Sequence, residues 1–165
     1  MPRRTKAIAG ALAIALLAFW GWRSWWPDDK RDIRRRLNAF ESDFNDSTTD
    51  GLGAVARAAR IGSYFTDDVV VELGQGSPPI RGRETLIGMA SRLQTRTSAF
   101  TLQLLDIQVE VQGPSEADVR LTASFRRRSL PSGDESIDAQ EFAVRMVKTD
   151  GEWRMSHVTA VEPFR

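Results

Sequence analysis

The chain has no cysteine, one histidine and one tyrosine among its 165 residues. Without cysteine, a disulfide framework, a thiolate nucleophile, a cysteine-ligated metal and a lipoprotein anchor are all excluded. A single histidine, His157, excludes two-histidine metal sites and histidine–histidine proton relays, so no metal site is expected. A surplus of either charge is also missing, since 23 Lys or Arg face 22 Asp or Glu for a net charge of +1. That balance hides a split along the chain. Residues 1–37 carry nine Lys or Arg against three Asp, whereas residues 38–165 carry fourteen against nineteen Asp or Glu. A mildly acidic domain lacks the cationic surface that phosphate backbones demand, so nucleic acid is not an expected partner. At 41% hydrophobic and 27% charged, the composition is globular and the length suits one domain.

Long hydrophobic runs are scarce as well, with one exception. Ala7 to Trp22 contains no charged residue and follows Arg3, Arg4 and Lys6. As a helix it would rise roughly 24 Å, short of the ~30 Å hydrocarbon core of a bilayer. Snorkelling of Arg23 and the rings of Trp25 and Trp26 would extend the apolar surface by a turn. Trp20, Trp22, Trp25 and Trp26 cluster at one end, as an interfacial aromatic belt does. Residues 1–27 therefore read as a single-pass signal-anchor that meets the lipid bilayer through residues 7–26, with a folded domain over 28–165. A cleaved signal peptide is the competing reading, but Leu17 to Trp22 offers no A-x-A site. Arg34, Arg35 and Arg36 follow closely enough to meet anionic headgroups. Counting cations on the two flanks puts the domain in the cytoplasm, whereas a basic start before an apolar run behaves as a signal-anchor. The expectation is an extracytoplasmic domain, on the periplasmic side of a bacterial inner membrane.

Pro27-Asp28-Asp29 opens a helix, with acidic residues placed to suit the helix dipole. Ile33, Leu37, Phe40 and Phe44 recur at spacings of one helical face. Asn45 to Asp50 is a polar loop, and Thr49 or Asp50 is placed to cap a second helix bearing Leu52, Val55, Ala56 and Ala59. Val69 to Val71 is a short strand entered through Tyr64 and Phe65. A third helix follows from Gly82, with Leu86, Met89, Ala90 and Leu93 on its apolar face. From Phe100 the period becomes two. Its parity shifts between Leu104 and Ile107, which predicts a bulge near Leu105-Asp106. Ala117 to Phe125 and Phe142 to Met146 alternate cleanly, and Thr149-Asp150-Gly151 is a hairpin turn. Strict alternation then places Trp153, Met155, His157, Thr159 and Val161 on one face. Helices first and a meander afterwards give an α+β fold, a curved antiparallel sheet packed on three helices.

The order of three segments resembles the nuclear transport factor 2-like superfamily, which includes SnoaL-like polyketide cyclases, scytalone dehydratase and ketosteroid isomerase. The segments are Tyr64-Phe65-Thr66-Asp67-Asp68-Val69-Val70-Val71, Arg81-Gly82-Arg83-Glu84, and Lys148-Thr149-Asp150-Gly151-Glu152-Trp153-Arg154-Met155. The resemblance covers residues 30–165 and implies a cone whose open end holds an apolar pocket. Face and family likeness together name Phe40, Tyr64, Leu73, Met89, Trp153 and His157 as its lining. Ketosteroid isomerase-like members place a general-base Asp just past the strand that corresponds to Val69–Glu72. Here Leu73 stands in that register, and the neighbouring Glu72 points the other way.

His157 is the single low-priority catalytic candidate, as a general acid/base facing a pocket. Gly51-Leu52-Gly53-Ala54-Val55-Ala56 has the form of a dinucleotide fingerprint, but a polar loop precedes it where that mechanism needs a buried strand, so no cofactor is expected. Arg126-Arg127-Arg128 reads as a solvated strand edge near a hairpin tip. These features favour a membrane-tethered, non-catalytic binding domain for a small apolar ligand or a protein partner. An isomerase, dehydratase or cyclase using His157 is one alternative. The other is an oligomeric scaffold, a homodimer or part of a membrane complex.

Overall fold

A computed structural model describes residues 28–46, 51–74, 76–93, 98–129 and 135–161. Helix α1 spans Asp29–Asn45, α2 Gly51–Ser63 and α3 Arg83–Leu93. The strands are β1 (Phe65–Glu72), β2 (Ile80–Arg81), β3 (Ser98–Val111), β4 (Glu116–Ser129), β5 (Glu135–Thr149) and β6 (Glu152–Ala160). They form one six-stranded sheet in the order β2-β1-β6-β5-β4-β3. The result is an α+β fold with a curved sheet and three helices. The expected all-antiparallel sheet needs correction, because β1 lies parallel to β6. Three hairpin reversals fix the direction of β6, and the connection through α3 leaves β1 running the same way.

Helix α1 forms as its stripe predicts. Asp28 caps it, its carboxylate accepting from Arg31 N at 3.4 Å. Ile33 and Leu37 are fully buried, with Phe40 and Phe44 packed beside them. Both ends of α1 are pinned to the sheet. Asp29 Oδ1 accepts from Lys148 Nζ at 2.8 Å and from Trp153 Nε1 at 3.2 Å, which ties the N-terminus to the β5–β6 turn. At the other end the Asn45 amide exchanges two 2.8 Å hydrogen bonds with the backbone of Leu102, and Glu41 accepts from Leu104 N at 2.9 Å. Strand β3 is a sheet edge, so these side chains stand in for a missing neighbouring strand.

Helix α2 departs from its predicted face. Val55, Ala56 and Ala59 are exposed, while Arg57 and Gly62 are buried and Ile61 is partly so. Arg57 donates to the carbonyls of Asp43 and Phe44. Those carbonyls end α1 and have no partner within it. Capping a neighbouring helix therefore decides which face of α2 turns inward. Leu52, as a side chain, lies outside the described residues, as do the candidate caps Thr49 and Asp50. In α3, Leu86 packs on the core, but Met89 is exposed; the side chains of Ala90 and Leu93 are outside the described set.

Two turns follow the sequence reading closely. Asp106 adopts φ 53° where the register slips between Leu105 and Gln108, the expected bulge. Asp150 and Gly151 adopt φ 55° and 80°, as a two-residue hairpin turn of the primed type requires. The apolar run Ala7–Trp22 and its tryptophans lie outside the described residues. Among the described residues no helix is long and apolar enough to cross a membrane.

Candidate functional site

The inner face of the sheet is apolar wherever the helices cover it. Strand β4 contributes Ala117, Val119, Leu121 and Ala123, and β5 contributes Phe142, Val144 and Met146, all buried. This cover fades toward one end. Along β4 the inward residues pass from Val119 at 1% exposure to Phe125 at 36%, and along β1 from Val71 at 7% to Leu73 at 48%. Strands β1, β4 and β6 run in the same direction, so both exposed ends lie toward the same side of the sheet, Leu73 level with Leu121 and Phe125 four residues further along β4. Strand β5 runs the other way and reaches the same end through Gln140 and Asp138, opposite Ala123 and Phe125. The opposite end is shut by the Asp29–Lys148–Trp153 contacts. The apolar inner face is thus covered at one end, the floor at Asp29, Lys148 and Trp153, and uncovered toward the other, the mouth, where Leu73 and Phe125 are exposed.

The predicted lining residues divide by position. Phe40, Tyr64 and Trp153 belong to the packed interior: Phe40 meets Tyr64 edge-on at 5.5 Å between centroids, and Trp153 forms part of the floor. Leu73 stands at the mouth. Met89 follows the packed Leu86 by three residues on α3 yet is exposed. His157 is elsewhere. A bulge in β6 spans the step at which Met146 pairs with Met155 but Arg145 pairs with His157. One extra residue reverses the parity, so Val158 and Ala160 turn inward and His157 turns outward. The expectation that His157 shares a face with Trp153 and Met155 is therefore corrected.

On the outer face His157 Nε2 lies 3.7 Å from Glu72 Oε2, and Thr159 Oγ1 donates to the same oxygen at 3.5 Å. Glu72 thus points away from the interior, as alternation from Leu73 predicts. Nearby, Arg145 pairs with Asp118 at 3.5 Å. A shallow depression of about 440 Å³ runs over Glu110, Asp118, Arg120, Arg145, His157 and Thr159. Its charges largely answer one another, and among the described residues no group of three His, Asp or Glu is placed to hold a metal ion.

The inner face offers little acid–base chemistry. The Tyr64 hydroxyl donates to Asp43 Oδ2 at 2.6 Å, and Arg36 lies 4.4 Å over its ring. Burial first, and the Asp43 hydrogen bond and charge second, push its pKa up from 10.0 to about 12. Tyr64 is thus a neutral donor that joins α1 to β1. Arg36 also donates to Ser63 O at 2.9 Å and reaches Glu152 at 3.4 Å. It is turned onto the protein, whereas Arg34 and Arg35 are exposed, Arg35 paired with Asp32. At the mouth, the charged groups that β3, β4 and β5 place on the inner face are Arg127 and Asp138, which sequence reading missed. Arg127 was legible, since it continues the alternation Ala117 to Phe125 by one step.

Comparison with known proteins agrees with this fold. No curated protein resembles the chain closely enough to count as a match. Among solved structures, a protein from Novosphingobium aromaticivorans assigned as a scytalone dehydratase superposes with a TM-score of 0.68 at 15% identity, over 82% of this chain and 85% of its own. A protein from Streptomyces avermitilis assigned as a dehydratase of the NTF2-like family gives 0.66 at 16% identity, over 84% and 100%. A ketosteroid isomerase-like protein from Erwinia carotovora atroseptica gives 0.61 at 18%, over 84% and 100%. At such identities these likenesses speak for the fold alone. Residues 55–159 match the family described as SnoaL-like domains, and the chain belongs to that family.

Proposed function

We propose that the domain binds a small, largely apolar molecule in the open end of its inner face and carries out no acid–base chemistry of its own. The fading burial toward Leu73 and Phe125 carries this reading, because it leaves apolar surface uncovered where the inner face opens. Leucine at position 73 and the outward turn of His157 and Glu72 support the absence of catalysis, since Asp138 is then the carboxylate the sheet leaves on the inner face, and it is exposed. The full-length protein, purified and extracted with organic solvent, is expected to release an apolar small molecule. It is also expected to enhance the fluorescence of added N-phenyl-1-naphthylamine. Protein that releases nothing and leaves that probe dark would sink the reading.

An enzymatic reading draws support from neighbours assigned as dehydratases and from the His157–Glu72 pair, a histidine oriented by a carboxylate. It assigns His157 acid/base work on the outer face. Unchanged turnover in His157→Ala, for any substrate the domain accepts, would remove it.

The uncharged run Ala7–Trp22, its tryptophans and the exposed Arg34 and Arg35 support tethering at a bilayer through residues 7–26. In this reading the domain is extracytoplasmic and draws its ligand from the membrane surface. A scaffold reading, in which copies associate through the outer face of the sheet, makes the oligomeric state its test.

A further inference from the structure

We infer that the ligand taken at the open end is an amphipathic anion, an apolar body ending in a single carboxylate or sulfonate that Arg127 receives. This rests on the binding reading above and adds the charge of the ligand to it. The inward row of β4 is Ala117, Val119, Leu121, Ala123, Phe125 and then Arg127, with no register slip between β4 and β5 to break the alternation. Arg127 stands directly opposite Phe100 on β3 and Ser136 on β5, as Phe125 stands opposite Leu102 and Asp138. Opposed side chains start about 5 Å apart, so the Arg127 stem crosses the mouth beside aromatic rings.

Its neighbours in sequence are arranged differently. Arg126 faces outward opposite Ile137, and Arg128 faces outward opposite Glu135. Arg127 is the cation that β4 sends to the inner face. Among the described residues it makes no ion pair, and Asp138, the carboxylate on the same face, sits across from Phe125 rather than from Arg127. Two residues separate Phe125 from Arg127, about 7 Å along the strand. A molecule with its body against Phe125 and its neighbour Leu102 therefore carries its end group to the guanidinium. The apolar surface beneath the contact displaces water, which strengthens the pairing relative to one made on an open surface. A purely apolar ligand would leave that cation to water and to Asp138, its diagonal neighbour.

The test uses two probes with one naphthyl body, uncharged N-phenyl-1-naphthylamine and its sulfonate, 1-anilinonaphthalene-8-sulfonate. Each is titrated into the full-length protein in a zwitterionic-lipid nanodisc, with empty nanodiscs subtracted. Arg127→Gln is expected to weaken the sulfonate about fivefold to tenfold, the scale of one partly exposed charge-assisted contact, and to leave the amine unchanged. Arg126→Gln, on the opposite face, is expected to change neither. Unaltered sulfonate affinity in Arg127→Gln would overturn the inference while the pocket reading stands. Equal weakening by Arg126→Gln would also overturn it, by showing a diffuse field in place of a contact. If neither probe binds the unaltered protein, the pocket reading itself falls and the inference with it. Retained amine binding in Arg127→Gln shows that the variant is folded.

Discussion

Tyr64 is the chain's single tyrosine, so its phenol can be followed without assignment. Its pKa, held up to about 12 by burial and by Asp43, predicts that phenolate absorbance in the folded protein rises with a midpoint near 12 rather than 10.0. Because the folded value lies above the unfolded one, the corresponding stability is intact below pH 10 and is lost between pH 10 and about 12, where the unfolded chain ionises first. Asp43→Asn should lower the midpoint, since it removes the charge that opposes the phenolate. A native midpoint near 10 would mean that the 2.6 Å contact does not hold in solution. His157 gives the opposite kind of residue-scale expectation. Placed outside by the β6 bulge, His157→Ala should leave N-phenyl-1-naphthylamine affinity unchanged, and a loss of more than about threefold would return the residue to the interior.

At the scale of elements, the two bulges explain what the sequence could and could not reveal. The β3 bulge was legible because its parity change runs between unambiguous residues, with Phe100, Leu102 and Leu104 before it and Ile107, Val109 and Val111 after it. In β6 the tail His157-Val158-Thr159-Ala160-Val161 suits either parity, so one inserted residue left no trace in the pattern. Helix α2 was misread for another reason. Periodicity sees apolar faces, whereas Arg57 is buried by hydrogen bonds to α1 carbonyls that are distant in sequence. The α+β fold with its three helices was legible by resemblance, but the tie of Asp29 to Lys148 and Trp153 was not. Such side-chain-to-backbone ties between elements carry measurable weight. Asn45→Ala strips both outer hydrogen bonds from Leu102 and should cost about 1–3 kcal/mol in unfolding free energy. Amide exchange should quicken at Leu102 and leave Leu121 on β4 protected. Unaltered stability would show that water replaces the asparagine without loss.

For the whole molecule, the proposed tether makes a direct prediction. Full-length protein should stay with membranes through alkaline carbonate washing, and removal of residues 1–27 should free it. Protease added to intact spheroplasts should digest the domain; digestion only after lysis would place it in the cytoplasm. Sedimentation of the domain freed by removal of residues 1–27 addresses the scaffold reading, since a strictly monomeric species at high concentration would eliminate association through the outer face.

The position of β6 bears on how such a chain reaches its native state. The last of the described strands to be made, Glu152–Ala160, lies in the middle of the sheet between β1 and β5. Until it emerges from the ribosome, β1 with β2 and β3 with β4 and β5 are separate fragments, each showing an unpaired edge. Folding is therefore a closing event that waits for β6 to be made, its key pairings spanning some ninety residues of chain from Phe65 to Met155. A domain emerging through a membrane from its N-terminus would cross entirely before it could close, which suits export in an unfolded state and leaves its apolar inner surface in need of a chaperone during the interval.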